Sequence, residues 1–461
     1  MTQLYKPKSS VREAQTNNLF SGIWIRWRAL TVGERFVCIS ILLIPVWWVL
    51  GIYQFLPLLL LLGIAIYEWL QYGKLHLKRP NLPVVALFAF ATYQLVKILL
   101  NYYAPGRPGL LITVVLPWFC PALLLWYIQS NNIKIRMEVV AWACTVSVIQ
   151  MFGFWLLLLF VLPENLFMPP RLSTVLGLFT GRDDGYKRIA PYEMSSLKIG
   201  ELYRLSLFFI SAQFFGVVAG FIGLVALEIK NRLWSLLLFL ACVFLIALST
   251  ARVVWVAFPI VVGLRYLFFY FGKRWGPPVI FALIAVASFT MLSLPPISNL
   301  IFGQFTGIAQ AVNDLRANST SARLEIYRQT WNAFQENPLW GHVGKGELIS
   351  LNSSSQNIVG SHSVILGNLL YENGLVGTVI FTVFWISLFI WFYQTRAERP
   401  LTGFCVMIFY TLASPTLGAL YGMPLASLLI LLCAAIRRPK PTREYGTCQP
   451  YYTRVLSSHG R

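Results

Sequence analysis

Long apolar runs separated by short polar stretches dominate the chain. The runs are roughly 17–24 residues long, the length that a helix needs to cross a bilayer core of about 30 Å. Each run is predicted to be a helix, because an isolated strand cannot satisfy its backbone hydrogen bonds in lipid. We assign twelve predicted spans, near 37–56, 57–71, 82–102, 109–128, 138–162, 205–227, 233–250, 252–271, 277–294, 372–393, 401–418 and 421–436.

This pattern predicts an all-α, polytopic integral membrane helix bundle with about 12 transmembrane helices. A basic leader, 1–36, precedes the membrane domain, 37–436, and a basic tail, 437–461, follows it. In the leader, apolar residues at helical spacing beside two arginines predict an interfacial helix. Two external segments, near 163–204 and 295–371, are too long to be simple connections. Loops of such length usually carry function, and we expect short helices within them. In the second segment, a helix is expected to end at Asn337-Pro338.

Composition supports a membrane protein and excludes a soluble enzyme. Of the 461 residues, 57% are apolar and only 12% are charged, whereas soluble domains carry about 25% charged residues. The net charge of +20 does not indicate a nucleic-acid partner, because the basic residues lie between apolar runs and not on one soluble face. Their distribution follows the positive-inside rule if both termini are cytoplasmic.

No cofactor is expected from the sequence. The seven cysteines form no CxxC pair, and most lie in apolar runs, where a buried small hydrophobe is the expected role. No motif for a bound metal stands in a convincing context. Asp183 and Asp184 are adjacent carboxylates, which are more often solvated than metal-bound.

Arginines at the predicted outer ends of the spans are candidates for chemistry. Arg204 and Arg252 each open a predicted span, and Arg323 lies in the second external segment, with Arg328 about one and a half turns later. A single arginine at this depth can snorkel to lipid phosphate. Three at similar depth favour a guanidinium cluster that grips a diphosphate bidentately.

Histidine is rare, and His362 stands in the most informative position. It lies in Gly360-Ser361-His362-Ser363, where an apolar helix is predicted to begin. The positive end of the helix dipole disfavours an imidazolium ion, so the ring would be neutral near pH 7, as a general base requires. A capping or interfacial histidine is the alternative from local sequence alone. His342 lies in a glycine-rich turn.

Four stretches together carry a family resemblance, which covers roughly residues 200–395. They are Tyr203-Arg204-Leu205-Ser206, Leu248-Ser249-Thr250-Ala251-Arg252, Ser321-Ala322-Arg323 followed by Asn337-Pro338-Leu339-Trp340-Gly341-His342-Val343-Gly344-Lys345-Gly346, and Ser361-His362-Ser363 followed by Tyr371-Glu372-Asn373-Gly374. Their order and their placement on one predicted membrane face resemble the O-antigen ligase and polymerase superfamily of bacterial membrane glycosyltransferases. One departure is Ser363, where many members have Asn.

The resemblance implies a function and roles for the candidate residues. The donor would be an oligosaccharide on undecaprenyl diphosphate, and the acceptor a glycan or lipid A core hydroxyl on the periplasmic face of the inner membrane. His362 would be the base, and Arg252 and Arg323 would bind the diphosphate. Arg204, Arg328, His342 and Ser363 are further substrate-binding candidates. The family needs no bound metal. The resemblance leaves open a chain-length regulator or a flippase as partner.

Three alternatives stay open. Polymerase and ligase differ in their acceptor, which the sequence does not name. A transporter of a small solute is the alternative function, although transporters usually place ionisable groups near the midplane, and the predicted spans have almost none there. A membrane scaffold would not explain the clustered arginines.

Overall fold

The computed structural model describes the main part of the predicted bundle. The residues it describes are 19–73, 77–100, 115–162, 167, 172–180, 189–192, 204–271, 317–344, 346–349, 357–361, 363–415 and 419–437. The predicted span at 277–294 therefore lies outside the described residues, and so do His362, Asp183 and Asp184.

The described chain is mainly α-helical. The helices are α1 Val32–Leu42, α2 Ile44–Leu50, α3 Leu56–Tyr72, α4 Leu82–Leu100, α5 Cys120–Ser130, α6 Met137–Phe160, α7 Val175–Thr180, α8 Ala212–Ala226, α9 Arg232–Ser249, α10 Arg252–Phe271, α11 Ala317–Glu336, α12 Glu372–Gln394, α13 Thr402–Ala413 and α14 Ala419–Ala435. Two π-helical segments, Val115–Phe119 and Ser363–Tyr371, lead into α5 and α12, and two 3₁₀ turns are Trp27–Ala29 and Tyr53–Phe55. Six two-residue strands are β1 Phe20–Ser21, β2 Trp24–Ile25, β3 Ile135–Arg136, β4 Leu348–Ile349, β5 Asn357–Ile358 and β6 Ile436–Arg437.

The all-α membrane architecture is confirmed, whereas the number of twelve spans stays a prediction. Among the described residues, four helical segments are long and apolar enough to cross a membrane: Leu82–Leu100, Met137–Phe160, Arg232–Ser249 and Ser363–Gln394. A fifth is obtained if α1 and α2, which meet at 60°, count as one span. Helices α3, α8 and α13 are apolar but shorter than 18 residues.

The leader and the sixth predicted span differ from expectation. Residues 20–25 form a hairpin of β1 and β2 around Gly22, whose φ of 64° suits a tight turn, instead of an interfacial helix. The helix expected from residue 205 begins only at Ala212, because the side chain of Ser211 accepts a hydrogen bond from Phe214 N and caps it.

Contacts group the helix termini at two ends of the bundle. At one end, which we call the tail end, β3 before α6 pairs with β6 after α14, and Arg136 forms a 2.8 Å ion pair with the buried Glu34 of α1. Helix α12 begins at the other end, which we call the site end. Helices α10 and α13 run antiparallel between the two, since Arg265 late in α10 contacts Thr402 at the start of α13.

A backbone crossing at the site end fixes the loop after α11 onto the start of α12. Gly374 has φ 63° and ψ −171°, a conformation that only glycine adopts without strain. A Cβ on Gly374 would lie 2.3 Å from Leu339 O, and a Cβ on Gly341 would lie 2.5 Å from Gly374 N. Three backbone hydrogen bonds hold the crossing: Leu375 N to Pro338 O, Val376 N to Leu339 O and His342 N to Tyr371 O.

Gly341→Ala and Gly374→Ala should each destabilise the protein by about 3 kcal/mol or more, because the new methyl group meets backbone that cannot move aside. Gly153→Ala is the matched control: it lies on α6, where a Cβ would meet nothing within 4 Å, and should be neutral or slightly stabilising. Thermal unfolding of the detergent-purified variants measures the difference. Equal melting temperatures for all three variants would contradict the crossing.

Candidate active site

Arg204 contacts the turn between α9 and α10, which directly precedes Arg252. Helix α9 ends at Ser249, Thr250 follows with φ 49°, and Arg252 begins α10. The Arg204 side chain is buried, and its Nε donates to the carbonyl oxygen of Ser249 at 3.3 Å. Ser249 Oγ accepts from Ala251 N at 3.3 Å and donates to Ile246 O at 2.7 Å. Arg204 therefore supports the turn that presents Arg252.

Arg252 lies at the same height in the bundle as the turn that ends α13. The Phe258 ring of α10 lies 6.2 Å from the Phe409 ring of α13. Arg252 stands six residues before Phe258 along α10. The same step along the antiparallel α13, from Phe409, reaches Pro415. Both steps span about 9 Å in helical geometry, so Arg252 is level with the Ser414–Pro415 turn.

The Ser414–Pro415 turn also contacts the segment after His362 and the helix that carries Arg323. Val364 N, two residues after His362, donates to Ser414 O at 3.0 Å. The hydroxyl of Tyr327 on α11 donates to Pro415 O at 3.3 Å. The arginine helix, the histidine segment and the start of α10 therefore meet around Ser414–Pro415.

Helix α11, expected from the sequence to end at Asn337-Pro338, packs on the segment before His362. Thr330 is fully buried, and its Oγ1 accepts a hydrogen bond from Gly360 N at 3.0 Å. Arg323 stands seven residues before Thr330.

The backbone on both sides of His362 is held in place, although His362 itself lies outside the described residues. Gly360 has φ 79°, and a Cβ there would lie 2.5 Å from the Tyr371 ring. Ser361 N donates to Ile358 O at 3.1 Å. Ser363 is buried with φ 70°, and its Oγ accepts from Leu366 N at 3.1 Å. A helical segment begins directly after His362, as the sequence predicts, but in π-helical form.

Uncommon backbone conformations mark this region. Among the described residues, four that are not glycine have positive φ: Asn132, Leu207, Thr250 and Ser363. Leu207 closely follows Arg204, Thr250 closely precedes Arg252, and Ser363 directly follows His362. Such conformations cost about 1–3 kcal/mol each and cluster at functional sites. The strain at Leu207 is maintained by its own N–H, which donates to Pro191 O at 3.0 Å.

His342 and Arg328 occupy different surroundings. The His342 ring stacks on Tyr371 at 4.7 Å between centroids, and its Nε2 lies 2.7 Å from Ala333 O, which requires a proton on Nε2. Its side chain thus joins α11 to the start of α12. Arg328 is 72% exposed and pairs with Glu325 at 3.3 Å on the same helix.

Sequence reasoning missed two residues of α4 at the site end. Lys97 Nζ donates to the carbonyl oxygens of Glu372 and His342. The Tyr93 hydroxyl donates to Asn373 O at 2.8 Å. Both satisfy carbonyl groups released by the kink at Gly374. The signal for Lys97 was present in the sequence, because a lysine inside an apolar run needs a partner.

A cavity of about 410 Å³ opens beside these residues, lined by Tyr93, Lys97, Trp340 and His342 among others. Its lining is mixed, with a cation and aromatic rings. In the described part of the chain, no group of three or more His, Cys, Asp or Glu side chains is placed to hold a metal ion.

Comparison with known proteins supports the family resemblance over part of the chain. Residues 236–382 match the model of the O-antigen ligase family. The match includes Arg252, Arg323, His342 and His362 and leaves out Arg204. No curated protein gives a significant match. The matched stretch, about a third of the chain, supports the resemblance to the O-antigen ligase and polymerase superfamily found in the sequence.

Proposed function

We propose that the protein is a membrane glycosyltransferase that moves an oligosaccharide from undecaprenyl diphosphate to a sugar hydroxyl on the periplasmic face. The observation that carries the proposal is the meeting of three elements around Ser414–Pro415. These are the start of α10 with Arg252, the helix of Arg323 and the segment of His362. All three residues fall within the matched stretch 236–382.

The proposed reaction uses one general base and two cations. The acceptor hydroxyl oxygen attacks the anomeric carbon, and His362 takes the hydroxyl proton as the new C–O bond forms. The bond from the anomeric carbon to the diphosphate oxygen breaks, and its electron pair leaves with the diphosphate. Arg252 and Arg323 stabilise the negative charge on that leaving group. Two guanidinium groups thereby perform the role that a divalent metal performs in many phosphate-transfer enzymes.

Arg204, Ser363 and His342 support these groups in the proposal. Arg204 fixes the turn before Arg252 through Ser249 O. Ser363 keeps the positive φ that directs the chain at His362. His342 joins α11 to the start of α12. Arg328, which is exposed and paired with Glu325, would act only by adding positive charge near the donor.

Loss of the proposed base or of either proposed cation should strongly reduce transfer without unfolding the protein. His362→Ala, Arg252→Gln and Arg323→Gln should each reduce activity by about 100-fold or more, the range seen when a general base or a charge-stabilising group is removed. Arg396→Gln is the matched control, because Arg396 is an exposed arginine at the tail end. The assay is complementation of a bacterium that lacks its own polymerase or ligase, with surface glycans separated on a gel and protein levels equalised.

The gel also distinguishes the alternatives. A ladder with the wild-type protein indicates a polymerase, and one capped band indicates a ligase. Wild-type activity in His362→Ala would contradict the proposed base. Uptake of a solute by liposomes containing the protein, with no glycan product, would instead support a transporter.

The reaction should invert the anomeric centre, because the acceptor attacks from the face opposite the departing diphosphate. NMR of the newly formed linkage, compared with the donor linkage, measures the configuration. Retention would contradict a single displacement.

Transfer should also continue in EDTA, since the proposed cations are arginines. Loss of activity in EDTA that added Mg²⁺ restores would contradict the metal-independent mechanism.

A further inference from the structure

Two buried arginines meet at the tail end, at the opposite end of α12 from the candidate active site. Arg399 lies between α12 and α13, and Arg437 lies in β6 after α14. Their side chains are almost completely buried, at 2% and 9% exposure. Nη1 of Arg399 donates to Ala434 O at 2.5 Å, and Nη1 of Arg437 donates to the same oxygen at 2.8 Å. Both guanidinium groups thus converge on one atom.

The hydrogen-bonding capacity of this pair is largely unused. Among the residues that the structure describes, Nε and Nη2 of Arg399 and Nε of Arg437 are buried and have no hydrogen-bond acceptor. A buried donor without an acceptor costs about 1–3 kcal/mol, and more when it is charged. Three such nitrogens on two like charges are therefore unexpected unless an acceptor comes from outside the chain.

No carboxylate of the described residues compensates the pair. Glu398 is exposed and attracts both arginines from a distance, but forms no salt bridge with either within the described ranges. The Trp391 ring stacks under the Arg399 guanidinium at 3.9 Å and leaves its edge for hydrogen bonds. Burial and the neighbouring charge of Arg437 lower the pKa of Arg399 to about 9. In the described part of the chain, no carboxylate thus forms an ion pair with either arginine.

The position of the pair matches the depth of a lipid headgroup. Arg399 follows a segment long enough to span the membrane, Ser363–Gln394, by only a few residues. The sequence beyond Arg437 adds Arg438, Lys440 and Arg443. Basic pockets between transmembrane helices on the inner side commonly bind phosphate-bearing headgroups, and the planar fork of arginine suits phosphate oxygens.

We propose that Arg399 and Arg437 form a binding site for a phosphate group, supplied by the headgroup of an anionic phospholipid or by free inorganic phosphate. The phosphate oxygens accept hydrogen bonds from Nε and Nη2 of Arg399 and from Nε of Arg437, which the two side chains expose when they turn from their buried positions. The bound anion then joins the α12–α13 connection to the end of α14. This site is separate from the proposed glycan transfer and does not depend on it.

Thermal unfolding of the full-length protein in neutral detergent tests the site. Phosphatidylglycerol, phosphatidylcholine and inorganic phosphate are added separately to the wild type, Arg399→Gln, Arg437→Gln and the control Arg396→Gln. We expect phosphatidylglycerol to raise the melting temperature of the wild type and of Arg396→Gln by about 2 °C or more. It should leave both pair variants unchanged. Phosphatidylcholine should have little effect on any variant.

Each outcome either identifies the source of the bound phosphate or contradicts the site. A rise with inorganic phosphate that is lost in Arg437→Gln assigns the free anion, and a rise only with phosphatidylglycerol assigns the lipid. Equal shifts in all four proteins, or no shift with either phosphate source, would overturn the proposal. If Arg399→Gln does not fold, Arg437→Gln and the comparison of ligands on the wild type still give the answer. A merely structural role would lower the melting temperature of Arg437→Gln without changing the lipid shift.

Discussion

Irregular backbone inside an apolar bundle must satisfy its hydrogen bonds within the protein, because lipid offers no partners. Three interruptions at the site end, all among the described residues, obey this constraint. The turn after α9 is held by Ser249 and Arg204, the start of the π-helix by Ser414, and the kink at Gly374 by Pro338, Leu339 and His342. Tyr93 donates a hydrogen bond to the carbonyl oxygen of Asn373, and Lys97 donates to those of His342 and Glu372. The candidate active site is thus built from the breaks in the helices.

This construction suits the proposed reaction, in which the tail of the donor stays in the membrane. Continuous helices would expose only side chains, whereas broken ones place helix starts and loops at the same height. Arg252 begins a helix, Arg323 lies on a helix packed across the site end, and His362 directly precedes another helical segment. Groups held by strained backbone do not need to reorganise during the reaction, which favours stabilisation of a charge that develops on a leaving group.

The sequence predicted the helices of the site better than the long-range contacts that hold them together. Apolar run length gave most helix positions, and the residues around Asn337-Pro338 predicted where α11 ends. The sequence did not single out Thr330 on α11, which is fully buried, whereas its neighbour Trp331 is exposed. Thr330 accepts a hydrogen bond from Gly360 N, a long-range contact that local periodicity does not encode. The delayed start of α8 has the same kind of cause, since residues 206 and 207 bond to Pro191 O instead of to their own helix.

If Arg252 and His362 face one site, cysteines introduced at the two positions should lie close enough to cross-link. Arg252→Cys paired with His362→Cys should cross-link with a reagent that spans about 10 Å, because the Ser414–Pro415 turn lies beside both positions. Gly263→Cys paired with His362→Cys is the control, since residue 263 lies about 16 Å farther along α10. Efficient cross-linking of the first pair and none of the second is the predicted result. Equal cross-linking of both pairs, or of neither, would contradict the shared site.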